Sequence, residues 1–267
     1  MAISVAVVDV AAAVAHVTPK AVADDQDRAI VLRSASGTAA IVCDGVGAYE
    51  GSGVVAERCA AAVRAHLLAH GMTTLAASAD AAATALADDV DGATTLLAMA
   101  VDDDGTLRFL QVGNGAIVAI EAIDERPEQA ELHVASLTIP HVAYAGAQLA
   151  LTAFLPPTQP DGILPRSAGT LLPGTDRTRL VLACTDGITT PEDTPRGRTR
   201  DGTTWQQLTP PFAHLLEVLS GSWETVRTGG DAALADLLQG ALDEMLAAGG
   251  VEDDATISAL AIRPSAR

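Results

Sequence analysis

The sequence predicts an α+β fold in which two antiparallel sheets pack together and helices cover their outer faces. Three observations lead there. Strand-like apolar runs come in groups, and paired helix-like segments separate the groups. The turn Asp102-Asp103-Asp104-Gly105 between two apolar runs is a hairpin signal, which sets neighbouring strands antiparallel. Hydrophobic residues make up 49% of the 267 residues but aromatics only 3%, so the core is built from small aliphatic side chains packed closely.

The elements follow in order. Ile3 to Val17 reads as a strand with an extension. Asp27 to Arg33 and Thr38 to Cys43 read as two strands joined by the turn Ser34-Ala35-Ser36-Gly37. A glycine-rich loop with Gly45, Gly47, Gly51 and Gly53 precedes a helix from about Val54 to His70, whose apolar face carries Val55, Cys59, Ala62, Val63 and Leu67. A second helix spans roughly Thr74 to Asp89. Thr94 to Val101, Leu107 to Gln111, Ala116 to Ala122 and Glu131 to Leu137 form a strand meander. Residues 140–176 are rich in Pro and Gly and lack sustained periodicity, which suits a flap-like insertion. Arg179 to Cys184 is a strand, Trp205 to Ser220 and Asp231 to Ala248 are helices, and Ala255 to Ile262 is a last strand. Trp205 reads as a helix-packing residue.

Charge narrows the function. With 16 basic and 34 acidic residues the formal charge is −18, which repels nucleic acid and anionic membrane surfaces. Cys43, Cys59 and Cys184 have no CxxC spacing and read as buried free thiols, in keeping with a reducing cytosol. The apolar N-terminus lacks a basic region and is interrupted by Asp9, so a strand is expected rather than a signal peptide. No run of 18 apolar residues is present, so no transmembrane helix is expected. A cytoplasmic location is expected.

Carboxylates recur at the ends of strand-like runs far apart in sequence. Asp44 follows Thr38 to Cys43, Asp186 follows Arg179 to Thr185, Asp253 and Asp254 precede the last strand, and Asp27 begins another apolar run. Each alone reads as a turn residue beside a strand. Together they suggest a site, because converging carboxylates repel unless a cation joins them. Hard oxygen ligands select Mg²⁺, Mn²⁺ or Ca²⁺, which makes phosphate-ester hydrolysis a candidate function. The six histidines, His16, His66, His70, His133, His141 and His214, form no ligand pattern.

From about Asp25 to Ile262 the chain resembles the metal-dependent protein phosphatases, the PPM or type-2C serine/threonine phosphatases, in a bacterial-like form. Asp44-Gly45-Val46-Gly47 resembles the family's DGxG, and Gly92-Ala93-Thr94 its GxT. Val112-Gly113-Asn114-Gly115 stands in the place of its GDS/GDG turn. Thr185-Asp186-Gly187 resembles SDG, and Asp253-Asp254-Ala255-Thr256 resembles D[ND]xT. The resemblance implies a four-layer α-β-β-α sandwich, with two central antiparallel sheets flanked by paired helices, as a single domain over 1–267. It implies two Mn²⁺ or Mg²⁺ ions. Asp44 would bridge both and Gly45 would offer its carbonyl oxygen to one. Asp186 and Asp253 would bind the other, and Asp27 would act through a water, with Asp25 as a competing choice. Asp44, Asp186 and Asp253 would thereby carry the catalysis.

The implied reaction is hydrolysis of phosphoserine or phosphothreonine in a protein by a hydroxide shared between the ions. The implied partner is a substrate of a serine/threonine kinase. Three positions depart from the family's pattern. Val22 stands where the family has a phosphate-binding arginine, and Lys20 is the nearest cation, a point charge without bidentate reach. Val46 replaces a histidine found in animal members, leaving protonation of the leaving group to water. Asn114 replaces an aspartate linked to a third metal, which weakens or removes that site. The alternative reading is a degenerate regulatory module that binds metal or phosphoprotein with little or no catalysis.

Overall fold

The computed structural model describes residues 8–19, 25–88, 91–124, 129–145, 148–156, 164–173, 177–189, 196–198, 204–206 and 209–264. The chain begins with strands Val8–Val17 (β1), Arg28–Ser34 (β2) and Gly37–Cys43 (β3). Helices Ser52–His70 (α1) and Leu75–Ala85 (α2) follow, then strands Leu96–Asp102 (β4), Leu107–Val112 (β5), Ala116–Asp124 (β6) and Glu131–Ser136 (β7). Short strands Val142–Ala145 (β8) and Gln148–Leu151 (β9) pair with each other, and Ser167–Leu171 (β10) pairs with β5. Next come Arg179–Cys184 (β11), the single turn Asp186–Thr189 (α3), and the paired strands Arg196–Arg198 (β12) and Thr204–Gln206 (β13). Helices Pro210–Gly221 (α4), Trp223–Thr228 (α5) and Asp231–Ala247 (α6) lead to the last strand, Ala255–Pro264 (β14).

Two five-stranded antiparallel sheets form the centre, ordered β1-β14-β11-β6-β7 and β10-β5-β4-β3-β2. Their central strands are apolar on both faces, and the two-residue period of a strand sorts each face to a different layer. In β4, Leu96, Ala98 and Ala100 face α1 and α2, where they meet Val55, Cys59, Val63 and Leu67. The intervening Leu97, Met99 and Val101 face the other sheet and meet Ile117, Val181, Ala183 and Leu260. In β11, Leu180, Leu182 and Cys184 face outward to Phe212, Leu215, Leu234 and Leu238 of α4 and α6. The result is a four-layer α-β-β-α sandwich. Among the described residues no helix is long and apolar enough to cross a membrane.

Two sequence expectations change. The four-strand meander is broken: β4 and β5 lie in one sheet, while β6 and β7 lie in the other. The chain crosses between sheets at Gly113-Asn114-Gly115, where Gly113 takes φ +118°. A Cβ there would stand 2.5 Å from Thr95 Cβ, so the crossing needs glycine. The helix expected from Trp205 starts instead at Pro210, and Trp205 lies in β13 opposite Gly197. Thr209 sets that start: its Oγ1 accepts the Phe212 N–H at 3.2 Å, and Pro210 needs no N–H partner in the first turn. Within 140–176, β10 extends a central sheet at its edge, and Leu155 pairs with Thr94.

Candidate metal centre

The antiparallel register brings distant carboxylates to one edge of the sandwich. Cys43, the end of β3, lies opposite Arg28, the start of β2. Cys184, the end of β11, lies opposite Ile257 near the start of β14 and opposite Ala116, the start of β6. Leu96, the start of β4, lies opposite Val112, the end of β5. The residues just beyond these ends therefore share one rim: Asp27, Asp44, Thr94, Asn114, Asp186, Asp253 and Asp254.

Local bonds hold each in place. The Asp44 carbonyl accepts the Thr95 N–H at 2.7 Å and the Thr94 hydroxyl at 3.0 Å, and the Gly45 N–H donates to the Gln26 carbonyl at 3.3 Å. Asp186 Oδ2 accepts from Asn114 Nδ2 at 2.5 Å. Asn114 is clamped in turn: Gln111 Nε2 donates to the carbonyls of Gly113 and Gly115 at 2.9 and 2.7 Å, and the Gly113 N–H donates to His141 Nδ1 at 3.1 Å. Gly187 packs so closely on the last motif that a Cβ there would sit 2.2 Å from the Asp254 carbonyl oxygen. Asp27 is buried; its Oδ2 accepts the Thr256 hydroxyl at 2.6 Å and the Thr185 hydroxyl at 3.2 Å. Asp254 is buried as well and accepts the Gln26 N–H at 2.8 Å, while the Asp254 N–H donates to Asp253 Oδ1 at 2.8 Å.

The electrostatics are those of anions forced together. Burial raises the Asp27 pKa to about 7, with the charges of Asp254 and Asp186 adding to it against a lowering by the Thr256 hydroxyl. Asp44 keeps some surface open to solvent but is hemmed in on nearly every side. Burial, then the charges of Asp186 and Asp27, push its pKa well up. Asp186 is raised by burial and then by Asp253. The thiols beside them are pushed up by burial, Cys184 to about 12, so neither Cys43 nor Cys184 supplies a thiolate.

The donor set fits a hard cation. It offers carboxylate oxygens, and three of its polar atoms, Asp27 Oδ1, Asn114 Oδ1 and Asp254 Oδ1, are buried without a hydrogen-bond partner. Among the described residues no three His, Cys, Asp or Glu side chains are grouped closely enough to hold a metal ion. The carboxylates are gathered and hydrogen-bonded to neighbours rather than preset around one point. Lys20 and Val22 lie outside the described residues. Asp25, the competitor of Asp27, is exposed at the surface, where it pairs with Arg28 at 3.5 Å. Sequence reasoning named Asp254 among the strand-end carboxylates, and Thr185 and Thr256 within their motifs, without their contacts to Gln26 and Asp27, and it missed the Gln111–His141 clamp. A buried polar residue at the end of an apolar strand was the available signal only for Gln111.

Comparison with known proteins gives the family. The profile of protein phosphatase 2C matches residues 14–239. No curated protein matches the chain in sequence. Several solved structures share the fold. PppA of Pseudomonas aeruginosa, described as a regulatory component of T6SS, is 14% identical with TM-score 0.63, over 96% of this chain and 99% of PppA. The catalytic domain of the serine/threonine protein phosphatase PstP, solved with two manganese ions, is 17% identical with TM-score 0.60, over 96% of this chain and 99% of that one. The Bacillus subtilis SpoIIE phosphatase domain with part of its regulatory domain is 16% identical with TM-score 0.59 over 98% of this chain, which spans 65% of that longer fragment. With the profile covering most of its length and the two-sheet sandwich beneath it, the chain belongs to the protein phosphatase 2C family.

Proposed function

We propose that the protein is a metal-dependent phosphatase that hydrolyses phosphoserine or phosphothreonine in a protein substrate. The observation that carries this is the meeting of Asp44, Asp186 and Asp253 at one rim, seen in the charges that raise Asp44 and Asp186. Asp44, Asp186, Asp253 and the Gly45 carbonyl would hold two Mn²⁺ or Mg²⁺ ions, and Asp27 would act beside them. Such ions, when bound, polarise a phosphoryl group and lower the pKa of water toward neutrality. The chain's residues do the rest. The Asp44 backbone is fixed through its carbonyl by Thr94 and Thr95, which sets the direction in which its side chain leaves the strand end. Asp27, behind the rim, receives two hydroxyls on one oxygen and leaves the other to the cluster. Asn114 donates to Asp186 and orients it. The same reading takes 1–267 as one phosphatase-like domain with 140–176 inserted in it, and a serine/threonine kinase as the source of the phosphorylated partner.

The test is hydrolysis of p-nitrophenyl phosphate and of a phosphothreonine peptide with Mn²⁺, with EDTA as control. Turnover that requires the metal is expected. One observation favours a second reading, a regulatory module with little catalysis: the Asn114 amide occupies a lone pair of Asp186 at 2.5 Å. Metal binding without turnover on several phosphopeptides would select that reading.

A further inference from the structure

We propose that His16 is a positioning residue for the carboxylate cluster, acting through the Thr256 hydroxyl on Asp27. The inference rests on the metal-dependent reading above. His16 and Thr256 are register partners across β1 and β14, so their side chains stand side by side on one face. His16 Nδ1 lies 2.7 Å from Thr256 Oγ1, and that hydroxyl donates to Asp27 Oδ2 at 2.6 Å. With its one proton given to Asp27, the hydroxyl has only lone pairs left for the ring, so Nδ1 is the donor in this contact. The other nitrogen, Nε2, lies 3.0 Å from Thr18 Oγ1, a second contact that keeps the ring from turning. The backbone of His16 is pinned too. β1 is an edge strand, and Gln239 on α6 accepts the His16 N–H and donates to its carbonyl, both at 3.1 Å.

The chemistry gives this chain a purpose. A threonine hydroxyl rotates freely, and Thr256 could turn from Asp27 to another acceptor. A donor on its far side fixes the lone pairs and thereby the proton. Asp27 then keeps Oδ2 engaged and presents Oδ1, which has no partner, to the cluster. Partners one bond removed from a metal site typically alter metal affinity by about 10–100-fold. The role belongs to a donor at the Nδ1 position, not to an imidazole as such. Asparagine places an N–H close to that position, whereas glutamine places one near Nε2.

The experiment is calorimetric titration of the metal-depleted full chain with Mn²⁺, without substrate. We expect His16→Leu to weaken Mn²⁺ binding about tenfold, His16→Gln to weaken it similarly, and His16→Asn to remain within about threefold of wild type. Thr256→Val should weaken binding as well, and His16→Leu added to Thr256→Val should have no further effect, because the histidine acts through that hydroxyl. Asn and Gln variants that bind alike, or a His16→Leu effect undiminished in the Thr256→Val background, would overturn the inference while leaving the metal site standing. A wild-type chain that takes up no Mn²⁺ would overturn the metal-dependent reading and the inference with it.

Discussion

At the scale of residues, the rim gathers like charges that the fold alone would disperse. Burial raises Asp27, Asp44 and Asp186, so without a cation they favour their protonated forms. Two predictions follow from that conflict. Asp44→Asn removes one of the repelling charges at nearly constant volume. In EDTA it should melt higher than wild type, yet lose the stabilisation that Mn²⁺ gives and more than a hundredfold in kcat/KM. Asp186→Ala should lose activity to the same degree. Activity within about tenfold of wild type, about 1.4 kcal/mol of barrier, would remove these residues from the site. Gly187→Ala tests the packing of the two motifs. Its Cβ would meet the Asp254 carbonyl at 2.2 Å, so the backbone must separate by an ångström or more. A loss of about 1–3 kcal/mol in urea unfolding is expected, along with weaker Mn²⁺ binding. An unchanged midpoint would mean that Asp186 and Asp253 are not held by this contact.

At the scale of elements, strands were legible and their partners were not. β2, β3, β11 and β14 stand within two residues of where apolar runs and turn residues put them, because the run of apolar residues in each is continuous and bounded by polar or turn residues. Which sheet a strand joins is a matter of tertiary packing. β5 and β6 look like successive strands of one meander, and only the left-handed Gly113 marks the crossing. Short elements were illegible for a different reason: one or two turns carry too few residues to display a period. α5, with six residues, is held by a distant side chain rather than by its own pattern. Arg263 of β14 is buried and donates from Nε and Nη2 to the Val226 carbonyl at 3.0 and 2.8 Å, and from Nη2 to the Gly229 carbonyl. It closes the end of α5 as a cap would. Arg263→Met keeps the packing of the stem but leaves buried carbonyls without donors. It should cost about 1–3 kcal/mol, read from the urea midpoint, with Mn²⁺ affinity unchanged. A silent substitution would show that water reaches those carbonyls.

At the scale of the whole molecule, the candidate ligands were legible from their places beside strands, but the hydroxyl contacts, the clamp and His16 were not, because each depends on register between segments up to 240 residues apart. The same global arrangement sets how the metal-free chain responds to pH. A carboxyl whose pKa is raised by folding binds more protons in the native state than in the unfolded one between the two values. Stability then falls as pH rises through that interval. For Asp27 the interval runs from 3.8 to about 7, and Asp44 and Asp186 act in the same direction. His141 opposes them: burial lowers its pKa from 6.5, so folding is favoured as pH rises through that region. His66 is lowered in the same way, while Asp254 and Asp102 are raised, so two imidazoles stand against five carboxyls and the carboxyls decide the sign. Asp231 and Asp104 are lowered, Asp104 to about 2, and their contribution is lost only below about pH 4. The prediction is that the melting temperature in EDTA declines from pH 5 to pH 7.5. Mn²⁺ reverses this, because the cation replaces the protons that the carboxyls release and binds the native state alone. Its stabilising shift should therefore be larger at pH 7.5 than at pH 5. A melting temperature in EDTA that rises over this range would mean that the carboxylates are not crowded together. An equal Mn²⁺ shift at both pH values would mean that the cation binds somewhere other than this rim.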